Sequence, residues 1–175
     1  YDGLVFESRQ VPDTYTVPAG WEPRVGTIVP TYGEPPTMVE KTARSVLEQD
    51  YPAGKILLLI SDDSRRPSIQ AVVERLRLDY AAAEVVYHTP PRRGDPLRRG
   101  EAKAGNLNSA LERLAALDPD LQYVETRDAD DLVGDRTFLR QAVGQLIAHP
   151  EVAFVQTIKE SFVGAGDPRR GDPEK

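Results

Sequence analysis

Two aspartates one residue apart, Asp128 and Asp130, stand in the stretch Glu125-Thr-Arg-Asp-Ala-Asp-Asp131, directly after the short apolar run Leu121, Tyr123, Val124. Carboxylate oxygens suit hard cations, and Mg²⁺ is commonly held by one or two carboxylates together with the phosphate oxygens of a substrate. A strand that delivers such a pair to its carboxyl end offers a place where Mg²⁺ or Mn²⁺ can be held against a phosphate. The same spacing recurs at Asp118-Pro-Asp120, but that copy follows a helical pattern and precedes the strand, as a solvated turn does. Position separates the two copies, because open α/β sheets bind ligands beyond the carboxyl ends of their strands.

Other segments carry polar groups of the kinds a nucleotide needs. Asp62 and Asp63 follow an apolar run, and either carboxylate could accept a base or ribose hydrogen bond; one of an adjacent pair could equally cap a helix or close a turn. Thr31, Tyr32 and Glu34 could line a base and ribose pocket, or simply build the turn they occupy. Lys103-Ala-Gly-Asn106-Leu-Asn108 opens a helical pattern with a cation, a glycine that permits close backbone approach, and the free N–H groups of a helix start, which together suit an anion. Thr89 to Gly100 is locally basic in an acidic chain and too rich in proline and glycine for regular structure, so it is a loop, either solvated or functional. His88 and His149 are isolated and offer no catalytic partner.

These groups need elements to hold them. Arg24 to Pro30 and Lys55 to Ile60 are short runs apolar on both faces, as buried parallel strands are. Val39, Ala43, Val46 and Leu47 fall on one face of a helix that ends near Asp50-Tyr-Pro52, and Ile69, Val72, Val73 and Leu76 repeat the period after Pro67. Glu84 to His88 is a third strand. A third helix carries Leu107, Ala110, Leu111, Leu114 and Leu117, and the aspartate strand follows. A fourth helix on Leu139, Val143, Leu146 and Ile147 takes Asp135 as its expected N-cap. Val152 to Thr157 is predicted as a last strand. Alternation of strand and helix predicts an α/β fold with a mostly parallel sheet covered by helices on both faces, and places Thr31 to Glu34, Asp62–Asp63 and Asp128–Asp130 on one edge of it.

Composition narrows the partners. The net charge of −6 argues against a nucleic acid recognised through its phosphates, which needs clustered cations. Without cysteine there are neither disulfides nor thiolate metal sites. No apolar run approaches the roughly 18 residues of a membrane span, and no signal peptide is visible. The chain starts at Tyr1, not Met, and ends in a polar tail, so it is expected to be a piece of a longer protein. Residues 1 to 23 are expected to form an irregular arm anchored by Trp21 and Phe6, residues 24 to 163 the folded unit, and 164 to 175 the tail.

Thr27-Ile-Val-Pro-Thr-Tyr-Gly-Glu34, Ser45-Val-Leu-Glu-Gln-Asp-Tyr-Pro52, Ser61-Asp-Asp-Ser64, Lys103-Ala-Gly-Asn-Leu-Asn108, Asp128-Ala-Asp130 and Phe154-Val-Gln-Thr157 occur in the order and spacing of family two glycosyltransferases. More narrowly, the chain resembles the cytoplasmic catalytic domain of the cellulose-synthase-like, membrane-embedded branch. The resemblance implies a GT-A fold, a nucleotide-sugar donor such as a UDP-sugar, a glycan or polysaccharide acceptor, and Mg²⁺ or Mn²⁺. By motif match, Thr31, Tyr32, Glu34, Asp62 and Asp63 would bind the nucleotide, and Lys103 and Asn106 would serve the diphosphate side. Asp128 and Asp130 would serve the diphosphate and metal. The family's general base, in a Thr-Glu-Asp motif, and its acceptor-side Gln-x-x-Arg-Trp motif are not in this sequence. The resemblance therefore puts the base downstream of Lys175, assigns no catalytic residue within the chain, and implies donor binding without complete transfer. Arg127 stands where that family usually has an apolar or small residue.

Two other readings fit less well. A sugar-nucleotide pyrophosphorylase would carry a glycine-rich basic loop after the first strand, where Thr31-Tyr-Gly-Glu-Pro-Pro36 has one glycine and no cation. A receiver-like phosphoacceptor would place acids after the first and third strands, whereas here they follow the second and fourth.

Overall fold

The structure is a computed structural model and describes residues 15–157. Four strands form one parallel sheet in the order β3-β2-β1-β4: β1 is Val25–Thr31, β2 Ile56–Asp62, β3 Glu84–His88 and β4 Tyr123–Thr126. Every residue of β1 and β2 is buried, which is why their sequences show no alternation. Helices α1 (Pro36–Leu47), α2 (Pro67–Asp79), α3 (Ala102–Leu117) and α4 (Phe138–Ala148) fill the connections or follow them.

The two faces carry separate cores. On one, Val25 and Val29 of β1 and Ile56, Leu58 and Ile60 of β2 pack with α1, α2 and the Leu139–Val143 face of α4. On the other, Ile28, Leu57, Leu59 and Val86 pack with Ala110 and Leu114 of α3. Gly26 is required by this second layer, since a Cβ there would lie 2.7 Å from Leu121 Cδ2 and 2.9 Å from Leu114 Cδ1.

Three expectations change. Val152 to Thr157 is not a strand: its residues are exposed, Phe154 at 74%, and no neighbouring strand among the described residues supplies the ladder that an apolar run needs. Trp21 does not anchor the arm, being 79% exposed; Val17 is buried instead and Glu22 pairs with Arg140. Thr137, not Asp135, is the N-cap of α4, and the Asp135 carboxylate braces it from two residues upstream by accepting from Thr137 N and Oγ1, both at 2.8 Å. Phe6, the 164–175 tail and the general base expected beyond Lys175 all lie outside the described residues.

Candidate functional site

With all four strands parallel, their carboxyl ends lie on one edge. The register pairs Thr31 with Asp62, Ser61 with His88 and Ile28 with Thr126, so the turns after β1, β2 and β4 meet there. The expected residues take three different situations on that edge.

Thr31, Glu34 and Asp62 are committed to the turns. Thr31 Oγ1 donates to Glu34 Oε2 at 2.7 Å and accepts from Arg66 Nη2 at 2.8 Å. Glu34 Oε2 also accepts from the backbone N–H groups of Tyr32 and Gly33, at 2.7 and 3.1 Å. Partial burial pushes the Glu34 carboxyl up, but these hydrogen bonds outweigh it and leave the group below its ordinary value. Asp62 is wholly buried and accepts from Ser64 N, Arg66 N and the Tyr87 hydroxyl, so it is the turn-closing member of the aspartate pair. The Tyr87 phenol is pushed up to about 12 by burial first and by the Asp62 charge second.

Tyr32 and Asp63 face a polar cleft of about 450 Å³, lined also by Ser64, Arg65, Arg92 and Arg93. Tyr32 is 58% exposed and its ring lies 5.2 Å beneath the Arg93 guanidinium. Asp63 is gripped by both terminal nitrogens of Arg98, at 2.8 and 3.0 Å. A hollow of about 290 Å³, between residues 15–21 and α4, contains none of the expected site residues.

Lys103, Asp128 and Asp130 make the third group. Lys103, in the first turn of α3, is ion-paired to Asp128 just beyond β4. Asp130 is exposed, two residues further along the same turn. Asn106 does not reach this group: it is buried, accepts from the Ser61 hydroxyl and donates to the Ser61 carbonyl at 3.0 Å, tying α3 to the end of β2. Gly105 serves close packing, because a Cβ would lie 2.2 Å from Gly100 O.

Beneath the aspartate turn the unusual Arg127 is accommodated by charge. Its guanidinium is paired with Glu125, stacks 5.0 Å from the Phe138 ring and donates to Asp131 O at 3.3 Å, while Thr27 Oγ1 donates to Glu125 at 3.0 Å.

As for a metal, no group of three or more carboxylates, histidines or cysteines that could hold one occurs among the described residues. Asp128 and Asp130 would offer two carboxylates, a number that fits an ion completed by substrate phosphates and water rather than a protein cage.

Sequence reasoning missed Arg66 and Arg98. Arg66 bonds Thr31, the Glu34 carbonyl and Asp62 at once, and Arg98 joins Asp63 to the loop. The one available signal was the local basic character of Thr89 to Gly100, which names the loop but not the residue.

Comparison with known proteins decides the family. The model of "Glycosyl transferase family 2" matches residues 27–174. The chain belongs to that family. This family 2 chain is 31% identical over 134 residues to a "Cellulose synthase catalytic subunit [UDP-forming]" of Xanthomonas axonopodis pv. citri, covering 77% of the chain and 16% of that protein. It is 33% identical over 140 residues to "Cellulose synthase 1" of Komagataeibacter xylinus, covering 80% and 8%. The chain thus spans less than a fifth of the length of these relatives. Among solved structures, the mannosyltransferase PcManGT from Pyrobaculum calidifontis, in complex with GDP-Man and Mn²⁺, superposes with a TM-score of 0.54 at 29% identity over 73% of this chain and 33% of that one. S. aureus TarS in complex with UDP-GlcNAc shares the fold at a TM-score of 0.53 and 20% identity, over 73% and 32%. The fold is therefore GT-A-like, as expected of a chain of glycosyl transferase family 2. No helix among the described residues is long and apolar enough to cross a membrane.

Proposed function

We propose that this chain is the donor-binding part of an inverting glycosyltransferase that takes a UDP-sugar or similar nucleotide sugar and extends a polysaccharide or other glycan, within a parent protein embedded in the membrane with this domain on the cytoplasmic face. The observation that carries the reading is the convergence at one sheet edge of Tyr32 and Asp63 in an arginine-lined cleft with the Lys103–Asp128 pair. The relatives described above support it.

Tyr32 and Asp63 would receive the base and ribose, by ring contact and carboxylate hydrogen bonding. Lys103 would neutralise the diphosphate, and Asp128 with Asp130 would hold Mg²⁺ or Mn²⁺ beside it. When bound, the ion supplies Lewis acidity for the departing nucleoside diphosphate. Thr31, Glu34, Asp62 and Asn106 would act by fixing the turns that present these groups. Inversion needs a base to deprotonate the acceptor hydroxyl. That base would come from the parent protein beyond Lys175, since the Thr-Glu-Asp and Gln-x-x-Arg-Trp motifs are not in this sequence. Binding without complete transfer is the expected behaviour.

Calorimetry with UDP-sugars, with and without Mn²⁺, on the chain and on Asp130→Ala is the test. Binding is expected to be stronger with Mn²⁺ and weakened by the substitution. Indifference to both metal and mutation discards the metal assignment.

A further inference from the structure

We propose that Arg98 is a positioning residue for nucleotide recognition, holding the Asp63 carboxylate in a single orientation toward the cleft and fastening the arginine-bearing loop to the start of α3 before any ligand arrives. This deepens the reading of a nucleotide-sugar site and rests on it.

The guanidinium is spent inward. Nη1 donates to Asp63 Oδ1 at 2.8 Å and to Pro91 O at 2.7 Å; Nη2 donates to Asp63 Oδ2 at 3.0 Å and to Ala102 O at 2.7 Å. Its side chain is 2% exposed and that of Asp63 7%, so Arg98 has no exposed donor to offer a ligand and acts only through what it holds. A carboxylate has about four acceptor positions, and the fork fills two of them, leaving Asp63 able to accept from a ligand in a direction Arg98 has fixed. Gly105 makes room for the arrangement, as a Cβ there would lie 2.5 Å from Arg98 Nε.

The second half of the role is the loop. Thr89 to Gly100 contains no helix or strand, so its place depends on a few ties. Arg98 supplies two of them, to Asp63 and Ala102, and folds the loop back on Pro91; Arg65 adds one to Pro90, Asn108 one to Arg99, and Glu112 an ion pair to Arg99. What those ties hold in place is the cleft wall, with exposed Arg92 and with Arg93 over Tyr32. Lysine cannot substitute, because its ammonium is a point donor and cannot span two carboxylate oxygens and two carbonyls in one plane.

Calorimetry of UDP and of inorganic pyrophosphate, both with Mn²⁺, on the parent chain and on Arg98→Lys separates this role from general support. Pyrophosphate reads only the phosphate end of the site. The expected result is a loss of about tenfold in UDP affinity, the scale of one hydrogen bond to a charged group, with a clearly smaller loss for pyrophosphate, which Arg98 reaches only through its tie to Ala102 beside Lys103. Equal weakening of both ligands, or unchanged UDP affinity, overturns the proposal. A second measurement needs no variant: phenylglyoxal modification of the parent chain, mapped by mass spectrometry, is expected to spare Arg98 with and without UDP and to modify Arg92 and Arg93 only without it. Ready modification of Arg98 in the ligand-free chain overturns the proposal. A parent chain that binds neither UDP nor pyrophosphate overturns the nucleotide-sugar reading itself, a failure visible before any variant is compared.

Discussion

An ammonium already sits on one of the two aspartates assigned to the metal. Lys103 and Asp128 are ion-paired with about half of each side chain exposed, so under the proposed assignment a cation arriving alone must displace Lys103. A cation arriving with a diphosphate gives the ammonium a new anion to meet. Metal and nucleotide should therefore favour each other's binding, and the coupling must be reciprocal. Lys103→Met is expected to bind Mn²⁺ several-fold more tightly than the parent when no nucleotide is present, and to lose most of the coupling to UDP; Mn²⁺ titrations followed by electron paramagnetic resonance would show both. Unchanged Mn²⁺ affinity would mean that the pair does not compete with the ion. Glu34 gives a different kind of expectation. Its carboxyl is held below the ordinary 4.5 in the folded chain, so its contribution to stability is present above that value and is lost as pH falls from 4.5 through the lower folded value. Melting temperatures recorded across that acid range should fall less steeply in Glu34→Gln than in the parent, and parallel curves would contradict the turn-cradling role.

The first turn of α3 shows how an element can be tuned for its neighbour and not for itself. Alanine in place of a mid-helix glycine ordinarily stabilises a helix by about 1 kcal/mol. At Gly105 the sign should reverse, because the added Cβ meets the Gly100 carbonyl at 2.2 Å and backbone must move. Gly105→Ala is expected to cost about 1–3 kcal/mol, in the range of overpacked cores, in urea denaturation; a stabilised variant would show that the loop yields freely. Much of this architecture was legible beforehand. The unbroken apolar runs of β1 and β2 and the i, i+4 stripes of α1 and α2 are local patterns, and a parallel αβ alternation forces the turn residues to one edge. Val152 to Thr157 was misread because a strand is made by its neighbour, and among the described residues it has none. The division of labour among the site residues was hidden for a related reason. The backbone donors that hold Glu34 and Asp62 have no signature in the sequence, and the pairing of Asp63 with Arg98 spans 35 residues with no periodic signature. Arg127 was visible as an oddity, but only the Glu125 pairing and the Phe138 ring explain how a buried cation is tolerated there.

The two-layered core divides the molecule unequally. Among the described residues, the face covered by α1, α2 and α4 holds most of the buried apolar side chains, while α3 is the one helix packed on the other. That lone helix is also the one whose start carries Lys103 and Gly105 and which Asn106 ties to β2. Loosening of α3 would thus open the second core and the phosphate end of the site together, and hydrogen exchange should report the amides of α3 exchanging as one unit, with α1 and α2 more slowly. Slower exchange in α3 than in α1 would contradict that division.

The strand order has a consequence for how the chain is made. Parallel pairing of β1 with β4 joins residues that are 98 positions apart, as the Thr27–Glu125 contact shows. At about 5–20 residues per second, a ribosome needs roughly 5–20 s to produce the second partner after the first. Throughout that interval β1, a strand buried on both faces in the finished domain, has one row of backbone N–H and C=O groups still waiting, and any other extended chain nearby can pair with it first. The same central position that gathers the site's turns on one edge leaves β1 open along one side until β4 has been made.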